Sequence, residues 1–163
     1  MDISAYSALL FFPFALPICI YVAFSDMRDM RIPNQMVMLL FLVFAVVGLI
    51  ALPFNEYLWR YLHLVVVLVA GIALNAGGVM GAGDAKFAAA AAPFIPLGDV
   101  RFLVILFAAN LLAAVAAHRI GKYSAPKNIA PHWESWTNPK FPMGLALGGT
   151  LALYLGMGVV FGK

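Results

Sequence analysis

The chain has 163 residues, of which 64% are hydrophobic and only 10% charged. Ten Lys and Arg and seven Asp and Glu cannot coat a sphere of this size, whereas an ordinary soluble domain carries roughly 25% charged residues. A soluble monomer and a disordered chain are both excluded. The net charge of +3 is too small and too scattered to point to nucleic acid, and a single cysteine, Cys19, excludes a disulfide framework or a Cys-rich zinc site.

A membrane-crossing helix needs about 20 mostly apolar residues. The first predicted span is Ala5–Phe24, followed by a charged break from Ser25 to Asn34. The second runs Gln35–Leu52 and stops at Pro53; the third runs about Tyr57–Leu74. A glycine-rich stretch, Gly77 to Gly83, leads to a fourth and short span, Asp84–Leu97, closed by Pro93 and Pro96. The fifth is Val100–Ala117, and the polar segment Arg119–Lys140 leads to the sixth, Phe141–Phe161. The expectation is an all-α polytopic protein of about six transmembrane helices, one membrane domain over residues 1–163. Arg28, Arg31, Lys86, Arg119, Lys122, Lys127 and Lys140 fall on one side of this map, against Arg60, Arg101 and Lys163 on the other. The positive-inside rule puts the larger set in the cytoplasm and the N-terminus outside. Met1-Asp2-Ile3 lacks the basic start of a cleaved signal peptide, so the first helix is expected to stay as an anchor.

Acidic residues at membrane depth are costly and therefore informative. Asp26 falls at the cytoplasmic end of the first span and Asp84 at the cytoplasmic start of the fourth. The two spans between them go out and come back, so both carboxylates reach one membrane face. Two carboxylates brought close share a proton, and one can then activate a water while the other polarises a carbonyl. Such chemistry needs neither metal nor cofactor. Gly81 and Gly83 offer unusual backbone angles and close substrate approach, and Pro33 stops the first span from running into the second. The dipole of the helix that Asp84 opens favours its carboxylate, whereas Asp26 closes a helix, so the shared proton is expected mainly on Asp26.

Plainer roles stand beside these. Asp84 could simply cap its helix. Asp26 and Asp29 could pair with Arg28 and Arg31, the favoured role for Asp29. Lys86 could be a topology charge. His63 reads as a packing residue, and His118 and His132 as solvated loop or interface residues. Tyr57, Trp59, Trp133 and Trp136 suit the membrane interface. Cys19 lies in apolar surroundings where a thiol is inert. Gly81-Ala82-Gly83 lacks the strand and third glycine of a dinucleotide site.

Two motifs together carry a resemblance. The run from Asp26 to Pro33-Asn34 resembles the "D, six residues, then P-N or P-D" signature of type IV prepilin peptidases. Gly81-Ala82-Gly83-Asp84-Ala85-Lys86 resembles their GxGD signature. The short form, with basic residues in the first motif, looks most like the peptidases of tight-adherence (Flp) pilus systems. The resemblance implies that Asp26 and Asp84 match the family's catalytic aspartates, with Gly81, Gly83, Pro33, Asn34 and Lys86 shaping the site. It implies a prepilin or pseudopilin as substrate, its short basic leader removed just before an apolar segment at the cytoplasmic face of a bacterial inner membrane. It implies no cofactor, and partners limited to that substrate and membrane lipid. Larger members carry an extra cytoplasmic domain, often with paired cysteines, associated with N-methylation; this chain has no such domain, so peptidase activity alone is expected. The competing readings are a small transporter, channel or assembly subunit, and an enzyme of lipid head groups. A transporter would place its charges near the bilayer midplane on broken helices.

Overall fold

In the computed structural model, residues 1–123 and 130–163 are described, and those residues are helical without strands. Lys127, counted above among the topology charges, lies outside them. Five helices are long and apolar enough to cross a membrane. They are α1 (Ala5–Asp29), α2 (Asn34–Ala51), α3 (Phe54–Ala76), α5 (Val100–Lys122) and α6 (Met143–Phe161), with the short α4 (Ala82–Ala91) between α3 and α5. α1 packs along α6 and against α2, α4 lies against α3, α2 and α6, and α5 leans on α6.

The fourth predicted span is therefore not a membrane-length helix. Its ten α-helical residues rise only ~15 Å. Single 3-10 turns at Ala92–Phe94 and Leu97–Asp99 carry the chain onward. Pro93 and Pro96 cause the break, because proline removes the helical donor and its ring clashes with the preceding turn. Apolar surroundings cannot solvate the freed carbonyls. α3 supplies the donors: Arg60 Nη1 donates to the Pro93 carbonyl at 3.1 Å, and His63 Nδ1 meets the Ile95 carbonyl at 3.1 Å. Arg60, expected as an outer-face charge, is thus buried and also paired with Glu56 at 2.6 Å.

Close helix approach rests on small residues, as in membrane bundles generally. A Cβ on Gly71 would lie 2.8 Å from that of Ala85, which sets α3 against α4. A Cβ on Gly148 would lie 2.7 Å from the Cys19 carbonyl, which sets α6 against α1. The middle is filled by aromatic rings: Phe11 meets Phe94 edge-on at 4.9 Å, and Phe44 stacks on Tyr57 at 5.6 Å. Tyr57 is therefore a core residue rather than an interfacial one.

One end of the bundle is closed by a buried carboxylate, Asp99. It accepts from the backbone N–H of Asp2 (2.7 Å) and Ile3 (2.9 Å) and from the Tyr154 hydroxyl (2.7 Å). The other end is open and carries both sequence motifs.

At that open end two expectations are corrected. α1 does not stop at Phe24 but continues through the charged residues to Asp29, where Met30 adopts a left-handed conformation (φ 52°) and closes it. His118 is buried, not solvated, because the chain from 130 to 141 folds back over it. Trp136 stacks on its ring at 5.2 Å and Phe141 meets it edge-on at 5.7 Å. Trp136 is consequently buried as well, while Trp59 and His132 are exposed.

Candidate active site

Asp26 occupies the last turn of α1 and is buried, 5% exposed. Its Oδ2 accepts a hydrogen bond of 2.6 Å from the backbone N–H of Gly144, in the first turn of α6. The helix that Asp26 closes thus ends against the start of another helix. That contact alters the charge argument made from sequence: the positive end of α6 faces Asp26 and offsets the negative end of α1.

From Asp26 the first motif turns back sharply. The Ser25 hydroxyl donates to the Arg31 carbonyl at 3.1 Å, and Pro33 caps α2 in an extended conformation, with Asn34 its first residue. Arg28 and Asp29 form an exposed ion pair at 2.7 Å, so Asp29 has a cation of its own, whereas Asp26 has no ion-pair partner among the described residues.

The second motif opens α4. Gly81 is the N-cap residue, which puts Asp84 at the third helical position. Asp84 is therefore not the cap. Its carboxylate turns back toward Gly81, whose added Cβ would fall close to Asp84 Oδ2. The glycines serve approach rather than unusual angles, since Gly81 lies at φ −66° and Gly83 is helical. A Cβ on Gly81 would fall 2.7 Å from Asp84 Oδ2, and one on Gly83 would fall 3.3 Å from Ile32 Cβ. Ile32 thus seats the first motif on the second. Lys86 adds a bond of 3.2 Å from Nζ to Asn34 Oδ1.

Both carboxylates line one cleft of about 1470 Å³, with Gly81, Gly83, Pro33 and Asn34 in its wall. Lys86 stands outside it and acts on Asn34. The opposite wall holds Glu134, Lys140, Phe141 and Met143, none of which the sequence marked as site residues. Asp84 lies outside the five membrane-length helices, and burial, then the charge of Asp26, push its carboxyl up to about 6. Two carboxyls that feel each other at the edge of a cleft can divide one proton, leaving one base and one acid. Among the described residues, no cluster of three His, Cys, Asp or Glu is placed to hold a metal ion.

Five membrane-length helices, with two carboxyls in one open cleft at an end of the bundle, define a multi-pass membrane protein with the makings of a hydrolase. The sequence profile of the type IV leader peptidase family matches residues 13–118, and the chain belongs to that family. No curated protein and no solved structure matches the chain. Membership makes the protein a peptidase and sets aside the transporter, assembly-subunit and lipid-enzyme readings. The broken α4 and the buried Arg60 of α3, which a transporter would also show, are accounted for by Pro93 and Pro96 and by the Pro93 carbonyl that Arg60 serves.

Proposed function

We propose that the protein is a membrane aspartic endopeptidase of the GxGD type that removes the leader from a prepilin or pseudopilin, as in tight-adherence pilus systems. Asp26 and Asp84 are its catalytic pair. It works at the cytoplasmic face of a bacterial inner membrane, with the N-terminus outside. The observation that carries this reading is the shared cleft: residues 58 positions apart in sequence bring their carboxyls to one solvent-accessible space at one end of the bundle.

Asp84, with its raised affinity for protons, starts as the acid and Asp26 as the base. Asp26 takes a proton from water as the water oxygen attacks the scissile carbonyl carbon. The proton on Asp84 goes to the carbonyl oxygen, giving a neutral tetrahedral gem-diol. Collapse breaks the C–N bond: the leaving nitrogen takes the proton held by Asp26, and a gem-diol hydroxyl returns one to Asp84. One water is consumed and both carboxyls end as they began. The alternation passes one proton between the two carboxyls in each turnover, which a pair that shares a proton allows.

Co-expression with a candidate prepilin tests the reading. The mature, faster-migrating product is expected with the native chain and absent with Asp26→Asn or Asp84→Asn. Cleavage that survives in both variants would sink it.

A further inference from the structure

We infer that Gly144 is a positioning residue of the site: its N–H and its lack of a side chain together fix where the Asp26 carboxyl stands. The inference rests on the peptidase reading for its catalytic consequence and on geometry for the placement itself.

Two independent features of the same residue point this way. The N–H···Oδ2 bond of 2.6 Å is the one hydrogen bond that the Asp26 carboxyl makes among the described residues. A Cβ at position 144 would lie 2.8 Å from Asp26 Cβ, closer than such atoms come, and 3.0 Å from Oδ2 and 3.1 Å from Cγ, so the carboxyl would have to shift. The glycine thus opens the space that the carboxyl fills, and its amide ties one oxygen of that carboxyl. Oδ2 is occupied by α6, so Oδ1 remains for water. Asp84 offers a parallel in space alone: a Cβ on Gly81 would fall 2.7 Å from its Oδ2. Each carboxyl therefore stands where a glycine at the start of a helix leaves room for it. Backbone amides cost nothing to reorient during reaction, which suits a group that must stay in place while its charge changes.

The matched part of the family profile ends at residue 118, well before α6. Sequence reasoning missed Gly144 for a related reason: a glycine opening an apolar helix reads as packing. The titratable groups that share the cleft with Asp26 are Asp29, Arg31, Asp84, Glu134 and Lys140.

Three proteins test the inference, in detergent and against the prepilin cleaved on co-expression. An amide-to-ester change at Gly144 removes the N–H and adds no bulk. Gly144→Ala keeps the N–H and adds the Cβ. Gly148→Ala introduces a comparable clash on the same helix pair, against the Cys19 backbone and away from the cleft. Carbon-13 labelled aspartate, assigned through Asp26→Asn, gives an infrared band for the Asp26 carboxyl that is independent of cleavage. The ester is expected to shift that band and to move its titration by about one pH unit, the scale of one lost charge-assisted donor. Gly144→Ala is expected to lower kcat about 10–100-fold with KM changed less than about 3-fold, the scale of a misplaced catalytic group. Gly148→Ala is expected to lower the unfolding temperature and leave the Asp26 band in place. An Asp26 band and pH profile untouched by the ester, or shifted equally by Gly148→Ala, would overturn the inference while the peptidase reading stood. A band shifted by the ester while the native chain cleaves no prepilin would uphold the placement and remove the prepilin reading instead.

Discussion

The two ends of the bundle each carry a buried carboxylate, and the contrast between them separates structure from chemistry. Asp99 is saturated: two backbone N–H groups and a tyrosine hydroxyl converge on it, and it does not line the cleft that holds Asp26 and Asp84. Asp26 is equally buried but holds one donor among the described residues, and it lines a cleft that also contains Asp84. A carboxylate surrounded by donors has its charge dispersed and its position fixed, and it has nothing left to offer a substrate. One that is desolvated yet underserved retains affinity for a proton and for water. Burial alone does not distinguish the two; the count of donors does.

The sharpest way to break the comparison is to neutralise a carboxylate at each end. Asp26→Asn and Asp84→Asn are each expected to abolish leader cleavage, and the double variant to be no worse than either, because the two act as one unit. Asp99→Ala is expected to do the reverse, lowering the thermal unfolding temperature by stranding the Tyr154 hydroxyl and two backbone donors while folded protein still cleaves. Cleavage assays and unfolding in detergent on the same preparations read both. Loss of chemistry without loss of fold in Asp99→Ala would erase the distinction.

Next in size are the glycines. Gly81→Ala is expected to cut cleavage about 10–100-fold, since its Cβ meets the Asp84 carboxylate itself. Gly83→Ala, which presses on the side chain of Ile32, is expected to cost less, and the β-branched Gly83→Val more than Gly83→Ala. The order of initial rates checks this; Gly83→Ala worse than Gly81→Ala would mean that motif docking, not carboxylate placement, limits the reaction.

A smaller effect concerns pH. Folding raises the Asp84 carboxyl from near 3.8 to about 6, so between those values the folded protein holds a proton that the unfolded chain has released. Stability is therefore lost as pH rises through that window, and it is recovered on acidification. Asp84→Asn removes this dependence. The variant is expected to unfold at a higher temperature than the native chain at pH 7, with the gap closing toward pH 4. A gap constant with pH would mean that Asp84 is not desolvated in the folded protein.

The smallest effect is expected at the exposed pair. Asp29→Asn breaks a solvent-facing ion pair with Arg28, worth under about 1 kcal/mol, and cleavage is expected to stay within about 3-fold of native. A larger loss would move the catalytic assignment by one turn of α1.

Much of this architecture is written in local sequence. The apolar runs mark the helices, and Pro93 with Pro96 marks why α4 is short. Helix ends were less legible: polar residues from Ser25 to Asp29 read as a break, yet nothing in them forbids a helix once the chain has left the apolar layer. The convergence of the two motifs followed from counting crossings. What stayed hidden were contacts between residues distant in sequence. Asp99 sits between Gly98 and Val100 and reads as a loop acid; its partners lie 96, 97 and 55 residues away. Gly144 contacts Asp26 across 118 residues, and His118 is buried only because Trp136 returns over it. Composition and periodicity report what each segment prefers, and they carry no record of which segment will arrive beside it.

The shortness of α4 bears on how the chain enters the bilayer. Ten α-helical residues that include Asp84 and Lys86 do not partition into hydrocarbon alone, since each charge opposes insertion by a few kcal/mol in translocon scales. α3 is long and apolar, and its Gly71 lies against Ala85 of α4. During synthesis the two are thus expected to leave the translocon together as a helical hairpin, with α3 shielding its partner from lipid. The tip of that hairpin is the Gly77–Gly81 connection. On this account Asp84 is held near the membrane face from the moment of insertion, before α6 has been made, and the site is completed last, when Gly144 arrives to meet Asp26.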